Sequence, residues 1–176
     1  MIEESENLLK VVYLMDNEKY EEATKLLDMV IKDGDELNVR EELVRHLIKA
    51  GGCHEAYDEC MYIIENLSPS QLTYMYLQNI TFWLKKYKEL KIYSKKRMEI
   101  TKNLSHVSAQ SQVAYCMACV YLGDFLEAKL VHNEIAVDDK NSELILFCEN
   151  KVYFTSKSRI KKCIELKDSK ELLSSF

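Results

Sequence analysis

Apolar side chains return every three or four residues along almost the whole chain, and strict alternation of apolar and polar residues is nearly absent. A period near 3.6 gathers apolar groups on one stripe of an α-helix, whereas a half-buried strand needs a period of two. Interruptions are few, since 176 residues hold only four glycines and one proline. Sandwiches, barrels and loop-rich enzymes need many turn residues, so this scarcity favours helices joined by short connections. The pattern predicts helices over residues 3–16, 19–32, 36–50, 53–66, 70–85, 87–102, 108–122, 125–136, 141–155 and 158–166, with a short one closing the chain over 169–175. Breaks such as Asp33-Gly34-Asp35, Gly51-Gly52, Ser68-Pro69-Ser70 and Gly123-Asp124 separate them, and several supply N-caps. Ser68 before Pro69 is expected to place the proline in a first helical turn, where its missing N–H costs nothing. Connections this short force consecutive helices to pack antiparallel. The expected fold class is all-α, built as one domain over residues 1–176.

Composition narrows the setting. No stretch approaches the roughly 18 uncharged apolar residues of a membrane span. The start, Met1-Ile2-Glu3-Glu4-Ser5-Glu6, is acidic, opposite to a signal peptide. Six irregularly spaced cysteines read as reduced thiols in a cytoplasmic or nuclear protein. The net charge of -5 is unevenly spread: residues 1–83 carry 7 Lys/Arg against 17 Asp/Glu, residues 84–176 carry 17 against 12. That asymmetry suggests ends with different partners.

Chemistry-bearing motifs are sparse. Cys116-Met117-Ala118-Cys119 is a CxxC, but it falls mid-helix and no second ligand pair accompanies it, so core thiols are expected, with no zinc. His46, His54, His106 and His132 are scattered, and neither HExxH nor a phosphate-binding glycine loop occurs. The expectation is a non-catalytic protein without cofactor or metal. The most distinctive segment is residues 85–102, with eight basic and two acidic residues on one helix. Its Lys85, Lys88, Lys91, Lys95, Lys96 and Arg97 form a candidate basic patch for RNA phosphates or an acidic protein segment, with a solvated outer face as the plain alternative. Lys157, Arg159, Lys161 and Lys162 make a smaller one.

A repeat underlies the helices. Asn17-Glu18-Lys19-Tyr20-Glu21-Glu22-Ala23, Gly51-Gly52-Cys53-His54-Glu55-Ala56 and Gly123-Asp124-Phe125-Leu126-Glu127-Ala128 align, the last preceded by Ala118-Cys119-Val120-Tyr121-Leu122. Ala23 and Ala56 are 33 residues apart, and a further 34 reaches Leu90 in Lys85-Lys86-Tyr87-Lys88-Glu89-Leu90. Ala128 follows after 38, implying about four extra residues around Asn103–Gln110, and a fifth, degenerate copy falls near Lys162. In this pattern the chain resembles the tetratricopeptide (TPR) repeat family over roughly residues 5–166. The resemblance implies a right-handed superhelix of about five helix–turn–helix repeats with a C-terminal capping helix. It also implies a concave groove lined by the first helix of each hairpin. By register, groove candidates are Asn38, Glu41, Arg45, Lys49, Met75, Asn79, Trp83, Gln110, Met117, Tyr121 and Lys151. The Lys/Asn clamp of chaperone-binding members is absent, because Leu8 and Val12 occupy the corresponding positions. The functional expectation is an adaptor or scaffold subunit that binds a peptide or partner helix. Alternatives are a ribonucleoprotein-associated subunit gripping RNA through residues 85–102, and a TPR-type receptor for a signalling peptide.

Overall fold

The structure is a computed structural model and describes residues 2–135, 144–148, 151–155 and 158–165. Eight helices follow one another: α1 (Ile2–Asp16), α2 (Tyr20–Asp33), α3 (Glu36–Ala50), α4 (Cys53–Asn66), α5 (Gln71–Trp83), α6 (Tyr87–Ile100), α7 (Ser105–Leu122) and α8 (Phe125–Glu134). A ninth, α9, covers 158–165. The predominantly helical reading holds, and the packing suits a helical-repeat array: α1 lies on α2 and α3, α3 on α4, α6 on α7, and α7 on α8. Among the described residues, no helix is long and apolar enough to cross a membrane.

The same turn joins four pairs of consecutive helices. Glu18, Gly51, Lys85 and Gly123 take φ of 58°, 97°, 58° and 85°, the left-handed region. Each donates its N–H to the carbonyl three residues back, and the following residue donates to the carbonyl five back: Glu18 to Met15 and Lys19 to Leu14, Gly51 to Ile48 and Gly52 to Leu47, Lys85 to Phe82 and Lys86 to Thr81, Gly123 to Val120 and Asp124 to Cys119. This is the Schellman closure, which satisfies the last carbonyls of a helix. Lys19, Gly52, Lys86 and Asp124 then begin the second helix from nearly identical backbone angles, φ of -88° to -73° and ψ of 55° to 64°. Four residues on, the N–H groups of Ala23, Ala56, Leu90 and Ala128 bond the carbonyls of these N-caps. All four side chains are buried, as the repeat requires where two helix backbones come close.

The register differs from expectation in three places. α5 begins at Gln71, so Pro69 precedes the helix, and Ser70 is the cap, its Oγ accepting from Leu72 N at 2.9 Å. The extra residues before the fourth hairpin extend α7 to 18 residues. The helix expected over 141–155 is replaced by β1 (Leu144–Cys148) and β2 (Lys151–Thr155), which pair as a two-stranded sheet. β1 is a continuous apolar run and β2 has Val152, Tyr153 and Phe154 in succession, short aromatic and β-branched stretches that suit strands. At such lengths periodicity does not separate a strand from a buried helix. The closing helix expected over 169–175 lies outside the described residues.

The chain divides into two compact units, residues 1–80 with 147–151 and residues 81–146 with 152–176, the boundary falling inside α5. The first has a core from Leu8, Val11, Leu43, Val44, Leu47, Ile48, Ile63, Leu77 and Ile80. The second is centred on α7, whose Val113–Val120 run is buried throughout and packs with Phe82, Leu90, Ala128, Ile135, Ile160 and Ile164.

Candidate interaction surfaces

In the first unit the two arginines of α3 and the acidic residues around them engage one another. Arg40 donates from Nε to Glu36 Oε1 at 2.8 Å and from a terminal nitrogen to Glu59 Oε1 at 2.5 Å, and its guanidinium lies 3.8 Å from the Tyr62 ring centroid. Burial pulls its pKa down, but the two carboxylates outweigh that and the net shift is upward. Arg45 forks onto Glu42, holding that carboxyl below its ordinary range. His46, 7% exposed, sits beside them with its pKa lowered, chiefly by burial and then by the Arg45 charge. Glu41 is buried and reaches α5: one oxygen accepts from Ser70 Oγ (2.6 Å), Thr73 N (3.1 Å) and Thr73 Oγ1 (2.5 Å). Glu41 thus caps a helix start with an anion, where unpaired N–H groups favour one. An open cleft of about 220 Å³ adjoins Arg40 and Glu59, walled by Val11, Met15, Leu27 and Leu43.

In the second unit two features stand at the surface. The first is aromatic. Tyr87, at the start of α6, stacks on Tyr121, near the end of α7, with centroids 4.2 Å apart and planes 3° from parallel. Phe82 meets Tyr121 and Trp83 edge-on at 6.4 and 5.6 Å. Tyr121 remains 46% exposed. Among the described residues, Trp83 Nε1 is a buried donor without a hydrogen-bond partner, a situation that costs about 1–3 kcal/mol when nothing satisfies it.

The second feature is α6. Lys91 bonds Asp124 (2.8 Å) and Glu127 (2.5 Å), and Tyr115 donates to Glu127 at 2.5 Å. Burial lowers the Lys91 pKa, but these bonds outweigh it and raise the net value; the same Lys91 and Tyr115 bonds lower that of Glu127. Cys119, Asp124 and Glu127 bring potential metal-ligand atoms within 4.8 Å of one another, yet Lys91 already engages both carboxylates. Burial raises the thiols of Cys116 and Cys119 to about 12 and about 11, so both stay protonated at neutral pH. Cys53, Cys60, Cys116, Cys119 and Cys163 are not disulfide-bonded among the described residues.

The structure thus sorts the sequence-derived candidates. Among the basic residues, Lys85, Lys88, Lys95 and Lys96 are exposed, Lys91 is ion-paired, and Arg97 is buried at 2% exposure with its pKa lowered to about 10 by desolvation. Arg97 falls on the inner face with Leu90 and Ser94 and is therefore not part of an outward patch. Of the groove candidates, Asn38 and Lys49 are exposed, Arg45 and Gln110 are half-buried, and Glu41, Asn79 and Met117 are buried. Trp83 and Tyr121 belong to one aromatic cluster through Phe82. Lys151 lies in β2, not on a helix, and its side chain is outside the described residues. Sequence reasoning missed Tyr87 as the stacking partner and Ile92 as an exposed residue. The aromatic at repeat positions Tyr20, Tyr87 and Phe125 was the available signal for Tyr87. Comparison with protein-family models, with curated proteins and with solved structures returns no match.

Proposed function

We propose that this protein is a non-catalytic adaptor, a TPR-like helical-repeat module that binds a protein or peptide partner. The observation that carries the reading is the half-exposed Tyr87–Tyr121 stack, set among Phe82 and Trp83 and flanked in sequence by the exposed Lys85 and Lys88. Aromatic side chains that are partly buried, rigidly packed and open on one side are the usual anchors of protein interfaces. The unsatisfied Trp83 donor supports the same reading, since a partner's carbonyl would satisfy it. The recurrence of one turn geometry between four pairs of consecutive helices supports the repeat character, and stacked repeats present long surfaces suited to scaffolding.

The test is capture from source lysate, with and without nuclease, by wild-type protein and by Tyr121→Ala. A nuclease-resistant protein partner retained by the wild type and depleted at least about fivefold by Tyr121→Ala supports the adaptor reading. Recovery of RNA alone, or partners lost on nuclease treatment, would replace it with the ribonucleoprotein reading.

A further inference from the structure

The outward face of α6 carries an arrangement that its packing does not use and that only the exposed Lys96–Glu99 pair touches. Lys88, Ile92, Lys95, Lys96, Glu99 and Ile100 are all exposed. At 100° per residue these six fall within about 140° of the helix circumference. The opposite face, with Leu90, Ser94 and Arg97, is buried. Ile92 and Ile100 are 56% and 52% exposed. Single exposed apolar residues are ordinary, but two isoleucines on one stripe ringed by lysines are a patterned surface.

The charges on this stripe differ from those on its flank. Lys91 is held by Asp124 and Glu127. Lys96 is only 3.9 Å from Glu99, with both side chains more than half exposed, which is worth little in water. Lys85, Lys88, Lys95 and Lys102 are exposed and form no ion pair among the described residues.

We infer that the outward face of α6 docks an acidic amphipathic helix of a partner protein, with Ile92 and Ile100 meeting its apolar stripe and Lys88, Lys95 and Lys96 its flanking carboxylates. This deepens the adaptor reading and rests on it. Charge complementarity selects the partner's sign, and the isoleucines select its class. RNA-binding surfaces present aromatic rings for bases to stack on, whereas Ile92, near the middle of the stripe, and Ile100, at its edge, offer a base no such face. An apolar helix face buries them directly, as in helix-on-groove recognition. α6, at 14 residues, is about 21 Å long, so a partner helix of three to four turns spans it.

The experiment is a fluorescence-anisotropy titration of the full chain against a labelled 14-residue peptide carrying Leu at i, i+3, i+4 and i+7 with Glu at the flanking positions. The same composition scrambled so that the leucines share no face, a polyuridine oligonucleotide, and vesicles of mixed phosphatidylserine and phosphatidylcholine run in parallel. The expected result is binding of the amphipathic peptide at least about fivefold tighter than the scrambled one, weakening as salt rises. The Lys88→Glu/Lys95→Glu double variant, both residues exposed, is expected to lose at least about tenfold while keeping its helical circular-dichroism signal. Ile92→Ser is expected to lose severalfold with the salt dependence unchanged. No binding, equal binding of the scrambled peptide, preference for the oligonucleotide or the vesicles, or full affinity in the double variant each overturns the inference. If the peptide fails while capture still depends on Tyr121, the inference falls and the adaptor reading stands; loss of both removes both.

Discussion

The two units share a backbone repeat and use their charges in opposite ways. In the first, Arg40 is closed onto Glu36, Glu59 and Tyr62, Arg45 onto Glu42, and Glu41 onto the start of α5. In the second, Lys91 is closed onto Asp124 and Glu127, but Lys88 and Lys95 stand open along α6, as does Lys85 in the turn before it. The chain therefore has the means to neutralise a lysine from a neighbouring hairpin and does so at one position of α6 but not at its neighbours. Net charge alone misleads here. The acidic excess of residues 1–83 includes the carboxylates of Glu36, Glu41, Glu42 and Glu59, which cap or pair, beside others that are exposed, while the smaller basic excess of residues 84–176 includes the exposed lysines of and around α6.

Truncating a closed charge should hurt most. Arg40→Ala leaves Glu59 without its partner and removes the stack on Tyr62, and is expected to cost about 3 kcal/mol in denaturant unfolding, against less than about 0.5 kcal/mol for Lys95→Ala. Similar losses for both would erase the contrast between the units. Next comes Glu41→Ala, expected to cost about 2 kcal/mol because Thr73 N and Thr73 Oγ1 lose their acceptor inside the fold. Smaller again, and of the opposite sign, are the two turns that lack glycine. Glu18→Gly and Lys85→Gly relieve the left-handed strain at φ 58° and should each raise stability by about 0.5 kcal/mol, one in each unit. Unequal gains would show that the turns are less alike than their angles.

The smallest effect is on the pH profile. Burial keeps His46 below its ordinary 6.5, so under that pH the unfolded chain binds a proton that the folded one resists. Stability from this group is complete above about 6.5 and declines as pH falls toward the lowered folded value. His46→Gln is expected to flatten the unfolding midpoint between pH 7 and 5. An unchanged slope would place the acid sensitivity elsewhere.

Much of this was legible in the sequence. Helical spacing and the short polar breaks located α1 to α8 within a few residues, and the small side chain of the second helix marked three of the four turns. Lys85-Lys86-Tyr87 is a degenerate copy because Lys85 holds by itself a backbone position that Gly51 and Gly123 hold without strain. The strands β1 and β2 escaped because apolar stretches this short have no period to read. Site residues were harder. Register assigned Glu41 and Arg97 to surfaces, whereas the first is drawn inward by the free N–H groups at the start of α5 and the second lies on the buried side of α6. Which lysines would be open depended on Asp124 and Glu127, some thirty residues away in sequence, and no local pattern announces that pairing.

The comparison of the units and the proposed function meet in one measurement: anisotropy titration of the acidic amphipathic peptide against Arg40→Ala and Lys88→Glu/Lys95→Glu side by side, both held where they are fully folded. The account predicts wild-type affinity for Arg40→Ala and at least about a tenfold loss for the double variant. Equal affinity in the two, or a loss confined to Arg40→Ala, would contradict it.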